Sequence, residues 1–165
     1  MHHAKRMGLG AVSTALVTLL CAPVASATTT QFVGPDHGRE QIIRAVARLV
    51  QVENIDRGPS GPSLGDEIVS SGVLVRGDTQ VGTYGQVCTV TRAGADEDTG
   101  DVQCVATVAL PKGQITLQGL SLLPRTDPVI TAITGGTGAY RTAHGYLRSV
   151  EISDTEAQVT FHIIP

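Results

Sequence analysis

Residues 132–146 read AITGGTGAYRTAHGY, which places Gly135, Gly136, Gly138 and Gly145 within eleven positions. Two uses of such a run compete: a cradle for phosphate, or backbone punctuation. A dinucleotide fingerprint needs GxGxxG between a strand and a helix. Gly136 and Gly138 meet the first two positions, but Arg141 occupies the third. A P-loop needs Lys followed by Ser or Thr, and this run has neither pair. The residues that follow it read as a strand rather than a helix. Glycine also serves where a backbone takes positive φ or passes close to another chain segment. Gly135–Gly138 are therefore expected to form a tight connection, and Gly145 a bulge or close approach.

Short β-rich runs separated by turn signals lie on both sides of this connection. Strands are expected over 67–74, 80–92, 102–110, 114–122, 129–134, 143–152 and 157–164, with AGADEDTG and PKG as hairpin turns. Residues 40–56, EQIIRAVARLVQVENID, fit two patterns. Ile42, Ile43, Val46, Leu49 and Val50 would form one face of a helix. As a strand, Ile43, Ala45, Ala47, Leu49, Gln51 and Glu53 would share a face, and β-branched residues from Val50 onward favour that reading. DRGPSGPSLGD is a loop rich in Pro and Gly, with Asp66 as a turn-fixing residue. Eight antiparallel strands in one domain, 40–165, suggest a small closed barrel or a sandwich, and closure removes exposed strand edges.

The amino terminus reads differently. Lys5 and Arg6 precede a mostly apolar run up to Cys21, followed by Ala25-Ser26-Ala27. This is the pattern of a secretory signal peptide, 1–27, and the apolar run is too short to span a membrane. A lipid attachment at Cys21 is disfavoured by the large Leu20 before it. Residues 28–39 are expected to be a flexible leader. His37 with Asp36 and Glu40 is too sparse a set for a metal site, and a solvated surface is expected there. Removing Lys5 and Arg6 leaves 10 basic against 15 acidic residues, a net charge of −5. That balance offers no footprint for nucleic acid or for an anionic membrane. Cys88 and Cys104 remain after processing. In an exported chain they read as one disulfide across a hairpin, since a turn centred near Asp96 sets them opposite each other. No Ser-His-Asp set, metal-ligand spacing or cofactor motif emerges.

AITGGTGAYRTAHGY is similar to the signature of the allene oxide cyclase barrel and of the dirigent proteins that share its fold. VQVENIDRG, LGDEIVSSGVL, VGTYGQVCTVTR and GQITLQGL resemble the cyclase segments in the same order. The resemblance implies an all-β, eight-stranded antiparallel closed barrel with a largely apolar cavity, and it makes 40–56 a strand. Its chemistry does not carry over. Gln51 and Glu53 stand where the plant cyclases have Glu and Asn, Gly72 stands for a further Asn, and Cys88 matches a cavity Cys. Gln51 cannot supply the negative charge a Glu would offer a developing cation, so allene oxide cyclase activity itself is not expected.

Glu53 is the candidate catalytic residue. Inside the barrel its carboxylate would be desolvated and its pKa raised, which suits acid–base work; at the rim it would be paired or solvated. Leu49 and Gln51 share its face in regular alternation. Tyr84 and Gln86 share a face with Cys88 and are candidates to line the same cavity. Arg141 and His144 are expected on the surface, and His162 is expected to be structural or exposed. Three functions fit such a barrel: steering the cyclisation or isomerisation of a hydrophobic small molecule, carrying one without turnover, or serving as a scaffold. The relatives imply a homo-oligomer, dimer or trimer. Bacterial relatives that cyclise polyketides work inside cells, unlike an exported chain.

Overall fold

The computed structural model describes residues 39–96 and 99–164; the expected signal peptide 1–27, nearly all of the expected leader 28–39, and His37 lie outside them. Eight strands are present among the described residues: β1 Gln41–Ile55, β2 Glu67–Arg76, β3 Thr79–Ala93, β4 Gly100–Leu110, β5 Gly113–Leu123, β6 Val129–Gly136, β7 His144–Ser153 and β8 Glu156–Ile164. Each pairs antiparallel with the next, and β8 pairs with β1, so the sheet closes into a barrel with no free edge. Residues 40–56, open between helix and strand, are strand over nearly their whole length.

The inward positions divide the barrel along its axis. At one pole Leu74, Val108, Ile115, Leu117, Ile133, Phe161 and Ile163 pack into an apolar core, each at most 4% exposed. The glycine connection closes this pole. Gly138–Tyr140 form one 3₁₀ turn that buries Tyr140. Thr137 N–H donates to the Gln114 carbonyl at 2.9 Å, and Ala139 N–H to that of Lys112 at 2.9 Å, so the turn is stitched to the β4–β5 hairpin. Gly138 has φ +59, and a β-carbon there would strike the Lys112 carbonyl. Gly145, at φ +122, lies against the His162 carbonyl of β8, the close approach expected of it. Both ends of the barrel chain lie at this closed pole, since Gln41 pairs with Ile163 and His144 with Ile164.

The other pole is open. It carries the β1–β2 loop, the β3–β4 turn, the β5–β6 loop and the β7–β8 turn. Asp66 organises the first of these: its carboxylate accepts from the N–H groups of Arg57 at 2.9 Å and Ser63 at 2.7 Å, and from the Ser63 hydroxyl at 2.9 Å. Cys88 and Cys104 are directly opposed on β3 and β4, with alpha carbons 4.0 Å apart, and are joined by a disulfide.

Candidate functional site

A cavity of about 880 Å³ opens at this pole and runs down to the packed core. Its floor is apolar, formed by Leu74, Val108, Leu117, Leu147 and Phe161. Leu49, Tyr84, Gln86 and Cys104 line its wall, so four residues singled out in the sequence come together there. The Gln86 amide donates to the Cys88 sulfur at 3.0 Å, which holds it along the wall beside the disulfide.

Tyr84 owes its position to Gly72. The two are cross-strand partners, and a β-carbon on Gly72 would stand 2.6 and 2.8 Å from atoms of the tyrosine ring. The missing side chain lets the ring lie flat across β2, as aromatic residues do over a strand glycine. Burial pushes the Tyr84 phenol above its ordinary value of about 10, so it is a neutral hydroxyl at physiological pH. Among the described residues no protein group pairs with that hydroxyl, which leaves it available to a ligand.

Gln51 and Glu53 lie elsewhere. β1 contains a bulge: Leu49 pairs with Gly72 and Gln51 with Ser71, so Val50 is an extra residue in the strand. Past it the alternation changes phase. Val52, opposite Ser70, faces the cavity, while Gln51 and Glu53 turn to the outer surface. Gln51 there accepts from the Ser71 hydroxyl at 3.5 Å, and Glu53 is exposed beside Val69. The desolvated environment that would make Glu53 an internal acid or base is therefore absent. The correction has a plain cause: regular alternation along β1 stops at position 50. The nearby Arg57 pairs with Glu67 at 2.6 Å instead. His162 is on the outer face as well, stacked on Tyr146 with ring centroids 4.4 Å apart and 2.7 Å from Glu40.

The mouth adds residues the sequence reading did not select. Ser149 and Glu151 follow Leu147 at every second position of β7, so a polar continuation of an inward face was the available signal. Arg125 and Asp127 come from the β5–β6 loop, and Asp154 from the β7–β8 turn. The Asp127 carboxylate accepts from the Glu151 N–H at 3.3 Å and fastens that loop to β7. Leu49 N–H donates to the Thr155 carbonyl at 2.8 Å, which ties the β7–β8 turn to the bulge. Among the described residues no cluster of His, Cys, Asp and Glu could hold a metal ion.

Chemically, the cavity offers an apolar floor, one neutral phenol, one amide, the hydroxyls of Ser70, Ser121, Thr131 and Ser149, and a charged rim. None of the curated proteins matches the chain. Among solved structures, pyocyanin demethylase is 30% identical with a TM-score of 0.61, over 74% of this chain and 99% of that one. A pterocarpan synthase dirigent protein is 19% identical with a TM-score of 0.57, over 86% and 96%. An exo-specific intermolecular Diels–Alderase is 13% identical with a TM-score of 0.59, over 76% and 98%. The last two share the fold with this chain. Residues 46–163 match the model of the allene oxide cyclase barrel like domain, most of the barrel from mid-β1 to the end of β8, and the chain belongs to that family.

Proposed function

We propose that this protein binds a hydrophobic small molecule through the open mouth of its barrel and orients it against Tyr84 and Gln86. The observation that carries the reading is the cavity itself. Its roughly 880 Å³ is within the range of small-molecule sites, and the unpaired Tyr84 hydroxyl sits above an apolar floor. The 30% identical neighbour is named as a pyocyanin demethylase, which supports a small-molecule ligand. The proposal includes export: cleavage after Ala27 would deliver a disulfide-bearing barrel to an oxidising compartment. Amino-terminal sequencing of secreted protein should begin at Thr28, within a residue or two.

A second reading, that the barrel steers a cyclisation or isomerisation, is favoured by the Tyr84 phenol. A neutral hydroxyl held rigidly in an apolar wall can steady negative charge developing on a substrate oxygen. Native mass spectrometry of protein from its own culture should show a bound lipophile of defined mass. Tyr84→Phe should weaken its retention if the protein only binds, and should abolish turnover of the recovered compound if it also converts it. Protein recovered empty, with no lipophilic compound rebinding, removes both readings. Self-association as a dimer or trimer is supported by exposed Val105, Leu120 and Ile130 on the outer face, and sedimentation equilibrium tests it.

A further inference from the structure

Resting on the reading of the barrel as a small-molecule site, we infer that its ligand carries a cationic or uncharged head group rather than a carboxylate. The site is the apolar cavity, and the charges around its opening select what enters. Four of the lining residues are acidic, Asp127, Glu151, Asp154 and Glu156, and one is basic, Arg125. Outside the lining, Arg48 binds Glu156 at 2.7 Å. Four carboxylates thus face two guanidiniums, an excess of two negative charges at the opening. Two of the carboxylates are already engaged: Glu156 with Arg48, and Asp127 with the Glu151 N–H. The side chains of Glu151 and Asp154 have no partner among the described residues. They are free to meet a ligand.

The wall gives the second argument. Beneath the rim no lysine, arginine or histidine lines the cavity, so nothing inside compensates a buried anion. A carboxylate drawn in with its apolar body would exchange water for neutral donors alone, the Tyr84 phenol, the Gln86 amide and the hydroxyls of Ser70, Ser121, Thr131 and Ser149, with no cation to pair it. One left at the mouth would sit in the field of the rim. A cleft with low-dielectric walls and charges of one sign at its mouth concentrates ions of the opposite sign. A cationic head meets Glu151 and Asp154 while its body fills the floor, and an uncharged head is neither drawn nor repelled.

The test uses the chain from Thr28 and three probes with one body: 2-naphthylmethylamine as its ammonium, 2-naphthalenemethanol and 2-naphthoate. Calorimetric titration at low salt should rank ammonium above alcohol above carboxylate. The first and last should differ by on the order of tenfold, and the gap should shrink as salt shortens the screening length. In the double variant Glu151→Gln with Asp154→Asn the gap between ammonium and carboxylate should fall to about threefold or less. Both side chains are exposed, and Glu151→Gln keeps the backbone N–H that holds Asp127. Carboxylate binding equal to or tighter than ammonium overturns the inference while the cavity reading stands. Binding of none of the three overturns the cavity reading and the inference with it.

Discussion

The ring of Tyr84 and the bare backbone of Gly72 form one unit, and substitutions at the two positions separate its parts. Tyr84→Phe removes a hydroxyl that has no protein partner, so its melting temperature should change by the equivalent of no more than about 0.5 kcal/mol. Ligand affinity should fall by roughly tenfold, the loss of one hydrogen bond, as titration calorimetry would show. Gly72→Ala acts on the ring's place rather than its hydroxyl, and it also sets a methyl against the Arg48 carbonyl. At Gly145, alanine meets both a positive φ and the His162 carbonyl; chemical denaturation should show a loss of at least about 2 kcal/mol. Asp66 governs the acid side. The Arg57 N–H, and then that of Ser63, hold its carboxyl below the ordinary 3.8. The native state therefore binds fewer protons there than the unfolded chain does. Its contribution is fully present above the unfolded value and is lost as pH falls through the lower folded value. Urea midpoints measured from pH 6 downward should fall less steeply for Asp66→Asn than for the parent. Equal slopes would show that the turn does not depend on the charge.

Strand β1 shows what one extra residue does to an element. Glu53→Gln should leave ligand binding unchanged, because Glu53 lies on the outer face, whereas a cysteine at Val52 should be shielded from thiol reagents by bound ligand. Ligand protection of a cysteine at position 53 instead would overturn the bulge. VQVEN carries no glycine or other mark of a bulge. Its place is set by pairing with Ser71 and Gly72 and by the Thr155 carbonyl, which takes the Leu49 N–H from a turn far along the chain. That is why the alternation of the first strand was legible up to Leu49 and misleading at Gln51 and Glu53. The β3–β4 pair was the opposite case. Its turn composition and two cysteines were enough to place Cys88 opposite Cys104, because everything needed is local to one hairpin. Replacing both cysteines by serine should cost on the order of 3 kcal/mol in denaturant, the loop-closure value for a link of this length.

At the scale of the whole molecule, the strands from β2 onward announce themselves locally, whereas the strand reading of 40–56 and the choice of a closed barrel over a sandwich came from the family resemblance, because closure depends on β8 pairing with β1 across the length of the chain. The site could be read only in part. Its wall comes from inward positions of recognisable strands, such as Leu49, Tyr84 and Gln86, but its mouth is assembled from separate connections. Arg125, Asp127 and Asp154 carry no common motif and meet only when the barrel closes. The same division should govern stability. Amides of β1 and β8 near Ile43 and Phe161, over the packed core, should exchange more slowly than those near Val52 and Glu156 at the open pole. Bound ligand should slow mainly the latter group. The position of the chain ends has a practical outcome. Both Gln41 and Ile164 lie at the sealed pole. A coupling tag spliced just before Arg39 would fix the barrel to a chip or bead with every opening turned to the bulk solution, an oriented capture layer that needs no further engineering.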